Sequence, residues 1–374
     1  MFKPPRLALL TLFALVVGLN ASAFAEIAPP AVLPTSGPWS SSSGFTFDLN
    51  KKKSQKVRRS VSGMACNLDA KQQRICLMAF DEGGEARYAY VGNEVLKIET
   101  ERVVLRATSG ELDAEGAATD GRYFYVTGSH SAKRSDCSSN PDSRHVIRLK
   151  LNPATGRALQ PTGGSSTTAL PGYADTGRLW QLMQSQPELQ AYVGDGKCLG
   201  TESPAKNGTL AGQQGVNIEG LAVKDGVLYF GFRGPALNGV AKVLAVNADA
   251  LFSPEGGSNP KVSVTPIALG ERRGVRDMVA VKSGFLLLAG PDDDESSQAA
   301  GWTVAWWDGK SSSAVVQPRL LAALDLSQVT LRKCDKELKP EALTVLEETP
   351  KNYKLLVLSD GMCDGGPLAF TIPK

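Results

Sequence analysis

Apolar and polar residues alternate in short runs along most of the chain, and the runs come in pairs separated by turn residues. The clearest pair is "NIEGLAVKDGVLYFGFRGP", residues 217 to 235: a strand of small and apolar residues, a turn at Asp225-Gly226, then a strongly apolar strand. Four further segments follow the same plan. They are "DAEGAATDGRYFYVTGSHS" from Asp113, "VRDMVAVKSGFLLLAGPDD" from Val275, "KPEALTVLEETPKNYKLLVLSDG" from Lys339 and, more weakly, "VSGMACNLDAKQQRICLMAFDE" from Val61. A carboxylate recurs at one register: Glu115, Glu219 and Asp277 each stand 12 residues before the aligned residue of the second strand, Thr127, Gly231 and Ala289. In the last copy a longer turn stretches the interval from Glu341 to Ser359 to 18.

A second apolar hairpin follows three of these pairs, in "HVIRLKLNPATGRAL", "AKVLAVNADALFSPEGGSNPKVSVTPIAL" and "WTVAWWDGKSSSAVVQPRLLAAL". Four strands per unit, with intervals of 52, 104, 58 and 64 residues between Gly63, Glu115, Glu219, Asp277 and Glu341, predict an all-β propeller of five four-stranded blades. One such sheet cannot bury both of its faces, so the blades must stack around an axis. The long interval holds "TGRLWQLMQSQPELQAYVG", whose Leu179, Leu182, Met183, Leu189 and Tyr192 have roughly helical spacing. It reads as an insertion over 160–213 with a helix near 176–193, and a degenerate sixth blade is the alternative. "GFTFDLN", residues 44–50, is an isolated strand before the first blade and is expected to complete the last one, closing the ring and covering its edges.

The chain starts differently. Lys3 and Arg6 precede an apolar run from Leu7 to Gly18, and Ala23-Phe24-Ala25 has the small-x-small form of a signal peptidase site. Residues 1–25 are therefore expected to be a signal peptide, with a periplasmic or secreted mature chain. The run is too short to span a bilayer, which needs about 20 apolar residues, and no later stretch approaches that length. Removing Lys3 and Arg6 from the 41 basic residues leaves 39 against 38 acidic ones, which gives no reason to expect a nucleic-acid partner. The basic stretch "NKKKSQKVRR", residues 50–59, reads as a solvated loop. Asn207-Gly208-Thr209 matches a glycosylation sequon, which carries little weight in a bacterial export context.

Export also bears on the six cysteines, which are expected to be paired. Six thiols allow 15 pairings. Position favours Cys66 with Cys76 across the first hairpin, Cys137 with Cys198 bracketing the insertion, and Cys334 with Cys363 flanking the last hairpin.

The first strand of each propeller blade lines the central channel. Glu115, Glu219, Asp277 and Glu341 head that strand in four blades, with Gly63 in the fifth. Four carboxylates converging on one axis repel unless a cation, buried arginines or raised pKa values neutralise them. Oxygen ligands without histidine or thiolate suit calcium or another hard divalent cation, held by Glu115, Glu219, Asp277 and Glu341. Arg233, Arg276 and Arg273 lie near the same mouth, where they are placed to pair with the acids or to bind a small anionic or polar ligand together with Asp113. Glu115, Glu219 and His130 are the candidate catalytic groups, His130 as a general base beside Asp113 or Glu115. The bland reading is that each acid caps a turn at its own blade junction.

Weaker features read as structure: Asp292 to Glu295 as a solvated loop, and Trp302, Trp306 and Trp307 as packing between blades. The chain has no GxSxG elbow, no HExxH and no GxxxxGK[ST] loop, so the corresponding hydrolase, zinc protease and nucleotide-binding classes find no support.

"LDAEGAATDGRYFYVTGSHS", "VNIEGLAVKDGVLYFGFRGP" and the Leu/Trp insertion between them resemble the exported bacterial proteins of domain-of-unknown-function family 3616. The Asp-x-Glu-Gly element at 113–116 is similar to that of the esterase-like phytase group. The first resemblance implies an exported propeller without naming a substrate. The second implies a phosphoester or other ester as substrate. Blade one departs from the acidic pattern, and Asp113 is matched only by Asn217 in blade three. Three functions follow as expectations: a metal-dependent ester hydrolase, a carboxylate-pair glycosidase, or a non-enzymatic binding scaffold.

Overall fold

Five small antiparallel sheets stand around one axis in the computed structural model, each meeting the next through its innermost strand. The structure describes Met1 and residues 29–41, 52–106, 110–159, 170–199, 215–254, 260–292 and 298–374. After the short β1 (Ala31–Val32) and the helix α1 (Lys52–Arg58), blade 1 is built from β2 (Val61–Leu68), β3 (Arg74–Phe80), β4 (Glu85–Gly92) and β5 (Val95–Val104). Blade 2 holds β6 (Ala114–Thr119), β7 (Tyr123–Gly128) and β8 (Val146–Asn152), and two short strands, β9 (Arg157–Ala158) and β10 (Ala174–Thr176), share its outer edge. The helix α2 (Arg178–Gln184) leads to blade 3, formed by β11 (Asn217–Lys224), β12 (Val227–Gly234), β13 (Val240–Asn247) and β14 (Val262–Ala268), with the single-turn α3 (Ala248–Leu251). Blade 4 is β15 (Arg273–Val281), β16 (Gly284–Pro291), β17 (Thr303–Trp307) and β18 (Arg319–Leu324). Blade 5 is β19 (Lys339–Glu348), β20 (Asn352–Asp360) and β21 (Leu368–Pro373).

The period-2 pattern accounts for these sheets. Each blade is apolar on both faces, and one buried apolar cluster fills each of the five seams. Trp307 packs against Tyr229 and Phe285 at the seam of blades 3 and 4, as its position in a strand implied. The insertion is no sixth blade. Leu179, Leu182, Met183 and Leu189 are buried in the cluster between blades 2 and 3, and Arg178 donates to the carbonyls of Ala250 and Ser253.

Ring closure differs from the expectation. Residues 44–50 lie outside the described residues, and the segment just before them does the work. β1 adds in parallel to β18 of blade 4, Thr35 and Ser36 pair with Ala369 at the edge of blade 5, and Ser40 bridges to Val95 at the edge of blade 1. This strap covers the outer edges of three consecutive blades. The basic stretch is also more than a solvated loop: residues 52–58 form α1, Val57 is buried, and Arg58 makes a two-pronged ion pair with buried Asp364.

Cys66 is bonded to Cys76 across β2 and β3, and Cys137 to Cys198 across the insertion. Cys334 and Cys363 are unbonded thiols, although with the Asp335 carboxylate their ligand atoms lie within 4.8 Å of one another. The expected third bond is therefore absent from the structure, and burial pushes the Cys363 thiol up to about 12. Among the described residues no helix is long and apolar enough to cross a membrane. The expected signal peptide, the sequon at Asn207 and residues 293–295 lie outside the described residues.

Candidate functional site

All five inner strands carry a β-bulge at the same height. The extra residue of each bulge has no partner on the second strand: Ser62, Glu115, Glu219, Arg276 and Glu341 in blades 1 to 5. A bulge re-aims its side chain, and here it gathers one residue per blade at the channel mouth. Sequence alignment by acidic type placed Gly63 and Asp277 at this register, and both are one residue late. Arg276 holds the blade 4 position instead. Asp277 sits one step deeper, where its carboxylate accepts the backbone N–H groups of Met278 and Leu343 at 2.7 and 2.6 Å and ties blades 4 and 5 together.

That deeper level is a narrow waist. A Cβ on Gly63 would meet the backbone N of Ala117 at 2.7 Å, and one on Gly116 would meet the carbonyl O of Glu219 at 2.9 Å. Glycine at these positions lets neighbouring inner strands approach backbone to backbone. Below the waist the channel widens again to a cavity of about 400 Å³ lined by the later residues of the same strands, among them Ala65, Ala118, Ala222, Val279 and Thr344.

The bulge residues are linked in an arc. Arg233 Nη1 donates to Glu219 Oε1 at 3.0 Å, and Arg276 Nε lies 2.8 Å from Glu219 Oε2. Arg276 Nη2 reaches Glu341 Oε1, and the Ser62 hydroxyl donates to Glu341 Oε2 at 3.3 Å. The arc thus runs Arg233, Glu219, Arg276, Glu341, Ser62, from blade 3 round to blade 1. Blade 2 is left out. Glu115 is 9% exposed, lines the cavity, and has no hydrogen-bond or ion-pair partner among the described residues.

Above the arc lies a cavity of about 200 Å³. Its wall combines Asp81, Asp113, Glu115, Glu219, Glu341 and Asp360 with the cations Arg134, Arg233 and Lys339, and with Asn217 and Ser131. Among the described residues Asp81 Oδ1 and Asn217 Oδ1 are buried acceptors without a donor. The acids outnumber the bases, and the low-dielectric setting raises several of them. Burial first, then the Glu219 charge, holds the Glu115 carboxyl well above its ordinary value. Burial and Asp360 do the same to Asp81, and burial raises Asp360 itself. Asp113 is pushed up to about 6 by burial, against the opposing hydrogen bond from Ser129. Glu341 rises to about 8 because burial outweighs the attraction of Arg276.

These shifts set a pH dependence. A carboxyl with a raised folded pKa binds its proton more tightly in the folded chain, so its contribution is full below the ordinary values of 3.8 (Asp) and 4.5 (Glu). The contribution is lost as pH rises through about 6 for Asp113 and about 8 for Glu341. Carboxyls held low by ion pairs, such as Asp175 and Asp335, act below that window. The urea midpoint of the ligand-free, metal-free chain is accordingly expected to fall between pH ~4.5 and pH ~8. A midpoint that rises across this interval would contradict the buried-acid account.

Other expected site residues are not brought here. His130 is fully buried, its Nδ1 bonded to the carbonyl of Gly128 at 2.9 Å, and burial lowers it to about 4. Among the described residues no carboxylate is hydrogen-bonded to its ring, so it is not joined to Glu115 or Asp113. Arg273 reaches the carbonyl of Ala300, away from the cavity. Conversely, Asp81, Asp360, Lys339, Arg134 and Ser62 escaped sequence reasoning. Counting from the bulge, the residue aligned with Arg233 is Asp81 in blade 1, Ser129 in blade 2, Gly290 in blade 4 and Asp360 in blade 5. A one-residue shift in blades 4 and 5 had hidden that second ring.

The pattern of the family described as "Protein of unknown function (DUF3616)" matches residues 77–152 and 160–364. No curated protein matches the chain. Among solved structures, a GH43 β-1,3-galactosidase with galactodeoxynojirimycin is similar over 84% of this chain and 90% of that one, at 8% identity and a TM-score of 0.42. Penicillium chrysogenum α-L-arabinanase complexed with arabinobiose is similar over 92% and 98%, at 10% identity and a TM-score of 0.35. A glucose dehydrogenase is similar over 83% and 96%, at 12% identity and a TM-score of 0.35. Likeness this distant carries nothing about chemistry.

Proposed function

The chain belongs to the DUF3616 family, and from its cavity we propose that it binds a small polar, hydroxyl-bearing ligand at the channel mouth and cleaves an ester or glycosidic bond in it by carboxylate acid–base catalysis. One observation supports this reading above the others: the arc neutralises Glu219 and Glu341 and leaves Glu115, facing the cavity, without a base. A buried carboxyl that holds its proton more tightly than an ordinary one is suited to protonate a leaving oxygen. Water supplies the incoming hydroxyl, and a neighbouring wall carboxylate takes its proton. Arg134, Arg233 and Lys339 offer donors to an anionic or hydroxyl group of the same ligand.

Glu115→Gln is expected to reduce kcat by about 10²–10⁴-fold while leaving the melting temperature at pH 8 unchanged or raised, since it removes a buried ionisable group. Turnover on a panel of esters, phosphoesters and glycosides, alongside thermal melts, distinguishes the outcomes. A lower melting temperature with unaltered ligand binding would favour the scaffold reading in which the acids only hold blades together.

The acid excess and the two donor-less acceptors favour a second reading, a hard divalent cation at the mouth. Among the described residues no three of these carboxylate oxygens lie within 4.8 Å of one another, so such an ion would keep much of its water. Calcium is expected to raise the melting temperature if the ion belongs there. No shift with calcium, and none on chelation, would remove the cation from the scheme.

A further inference from the structure

Beside the cavity lies a cleft of about 420 Å³ over the seam between blades 5 and 1. Asp81, Lys339 and Asp360 line both spaces, so the cleft adjoins the cavity that holds Glu115. At about 200 Å³ the cavity alone falls below the roughly 300–1,000 Å³ of ordinary ligand sites, and the cleft brings the whole into that range. The seam between blades 3 and 4 is shut at this height: a Cβ on Gly274 of blade 4 would meet the carbonyl O of Arg233 in blade 3 at 2.1 Å.

The cleft floor is a row of alternating charges. Lys56 pairs with Glu82, and Lys336 with Glu337 at 3.5 Å. Lys339 lies 3.1 Å from Glu337 and 3.8 Å from Asp360. Such a row suits neither a hydrophobic chain nor a strongly charged one. A hydroxyl group, which donates to a carboxylate and accepts from an ammonium, matches it at every step. Arg59 stands at the outer end with its Nε bonded only to the Gln55 carbonyl at 3.3 Å, and Lys336 is 70% exposed.

We propose that the cleft is a second subsite, so that the ligand is an extended, hydroxyl-rich chain of sugar-like units with its reacting unit at Glu115 and its next unit over Arg59, Lys336 and Lys339. This rests on the acid–base reading of the cavity and adds the length and chemistry of the ligand. The backbone frames the cleft without help from those side chains: Gly361 N–H donates to Arg59 O at 2.8 Å and Asp81 N–H to Ser60 O at 3.0 Å.

The test is isothermal titration of the mature protein with neutral and uronic mono-, di- and trisaccharides. A disaccharide is expected to bind at least ~10-fold more tightly than its monosaccharide, a gain equivalent to about 1.4 kcal/mol. Arg59→Glu and, separately, Lys336→Glu should erase that gain and leave monosaccharide affinity unchanged. Equal affinity at every length, or a gain indifferent to both variants, would overturn the subsite and leave the cavity reading standing. Absence of binding by every sugar would overturn the subsite, and the cavity reading would fall with it only if the esters and phosphoesters also went uncleaved.

Discussion

Replacing Arg276 by methionine is expected to destabilise the chain by about 3–5 kcal/mol, seen as a lower urea midpoint with unchanged slope. Arg276 is 3% exposed and sits between Glu219 and Glu341, themselves 2% and 7% exposed. Its guanidinium reaches both carboxylates, and its Nη1 also donates to the carbonyl of Pro291 at 3.0 Å. Removing it leaves Glu341 without its ion-pair partner and Glu219 with Arg233 alone, in a medium that cannot solvate a carboxylate. A lysine, with one point charge in place of a planar fork, cannot serve both acids, so Arg276→Lys should recover only part of the loss. Adding Glu341→Gln to Arg276→Met should restore stability beyond additivity, because the orphaned charge is then gone. Unchanged stability in Arg276→Met would show that the arc does not hold the blades.

Loss of the Cys137–Cys198 bond ranks next. It closes a loop of 61 residues, for which chain entropy gives about 4 kcal/mol, against about 3 kcal/mol for the 10-residue loop of Cys66–Cys76. The double serine variants should therefore differ in urea midpoint in that order. Ser131 and Arg134, a few residues before Cys137, form part of the cavity wall. Cys137 N–H donates to the Lys133 carbonyl at 2.8 Å, so the bond anchors the turn that presents Arg134. Ligand affinity is expected to fall in Cys137→Ser/Cys198→Ser and to survive in Cys66→Ser/Cys76→Ser. The reverse order in either property would contradict this account.

The register of the carboxylates shows where sequence reading succeeded and where it stopped. Paired apolar strands and recurring acids at Glu115, Glu219 and Glu341 were legible because a strand's side-chain period is fixed at 2 and a blade repeats it. Asp277 was taken for the fourth acid because it resembles the others in type, while Arg276 next to it resembles none of them. Only the bulge, which shifts facing by one residue, separates the two. The second ring, Asp81, Arg233 and Asp360, went unseen for the same reason. The closing strand was expected at 44–50, because alternation marks it there, whereas Thr35 to Ser40 pair through backbone groups that leave little pattern in side chains.

The sequence by itself determined the all-β propeller class and the convergence of acids on one channel, and its spacing pointed to two of the three expected disulfides correctly, because each follows from local periodicity, spacing or repetition. Tertiary structure alone decided which acid is neutralised and which is left open. Whether a carboxylate meets a guanidinium depends on contacts between residues 57 and 65 positions apart, Glu219 and Glu341 with Arg276. A polar side chain's energy is set by the partners and solvent around it, and those are assembled only when the ring closes.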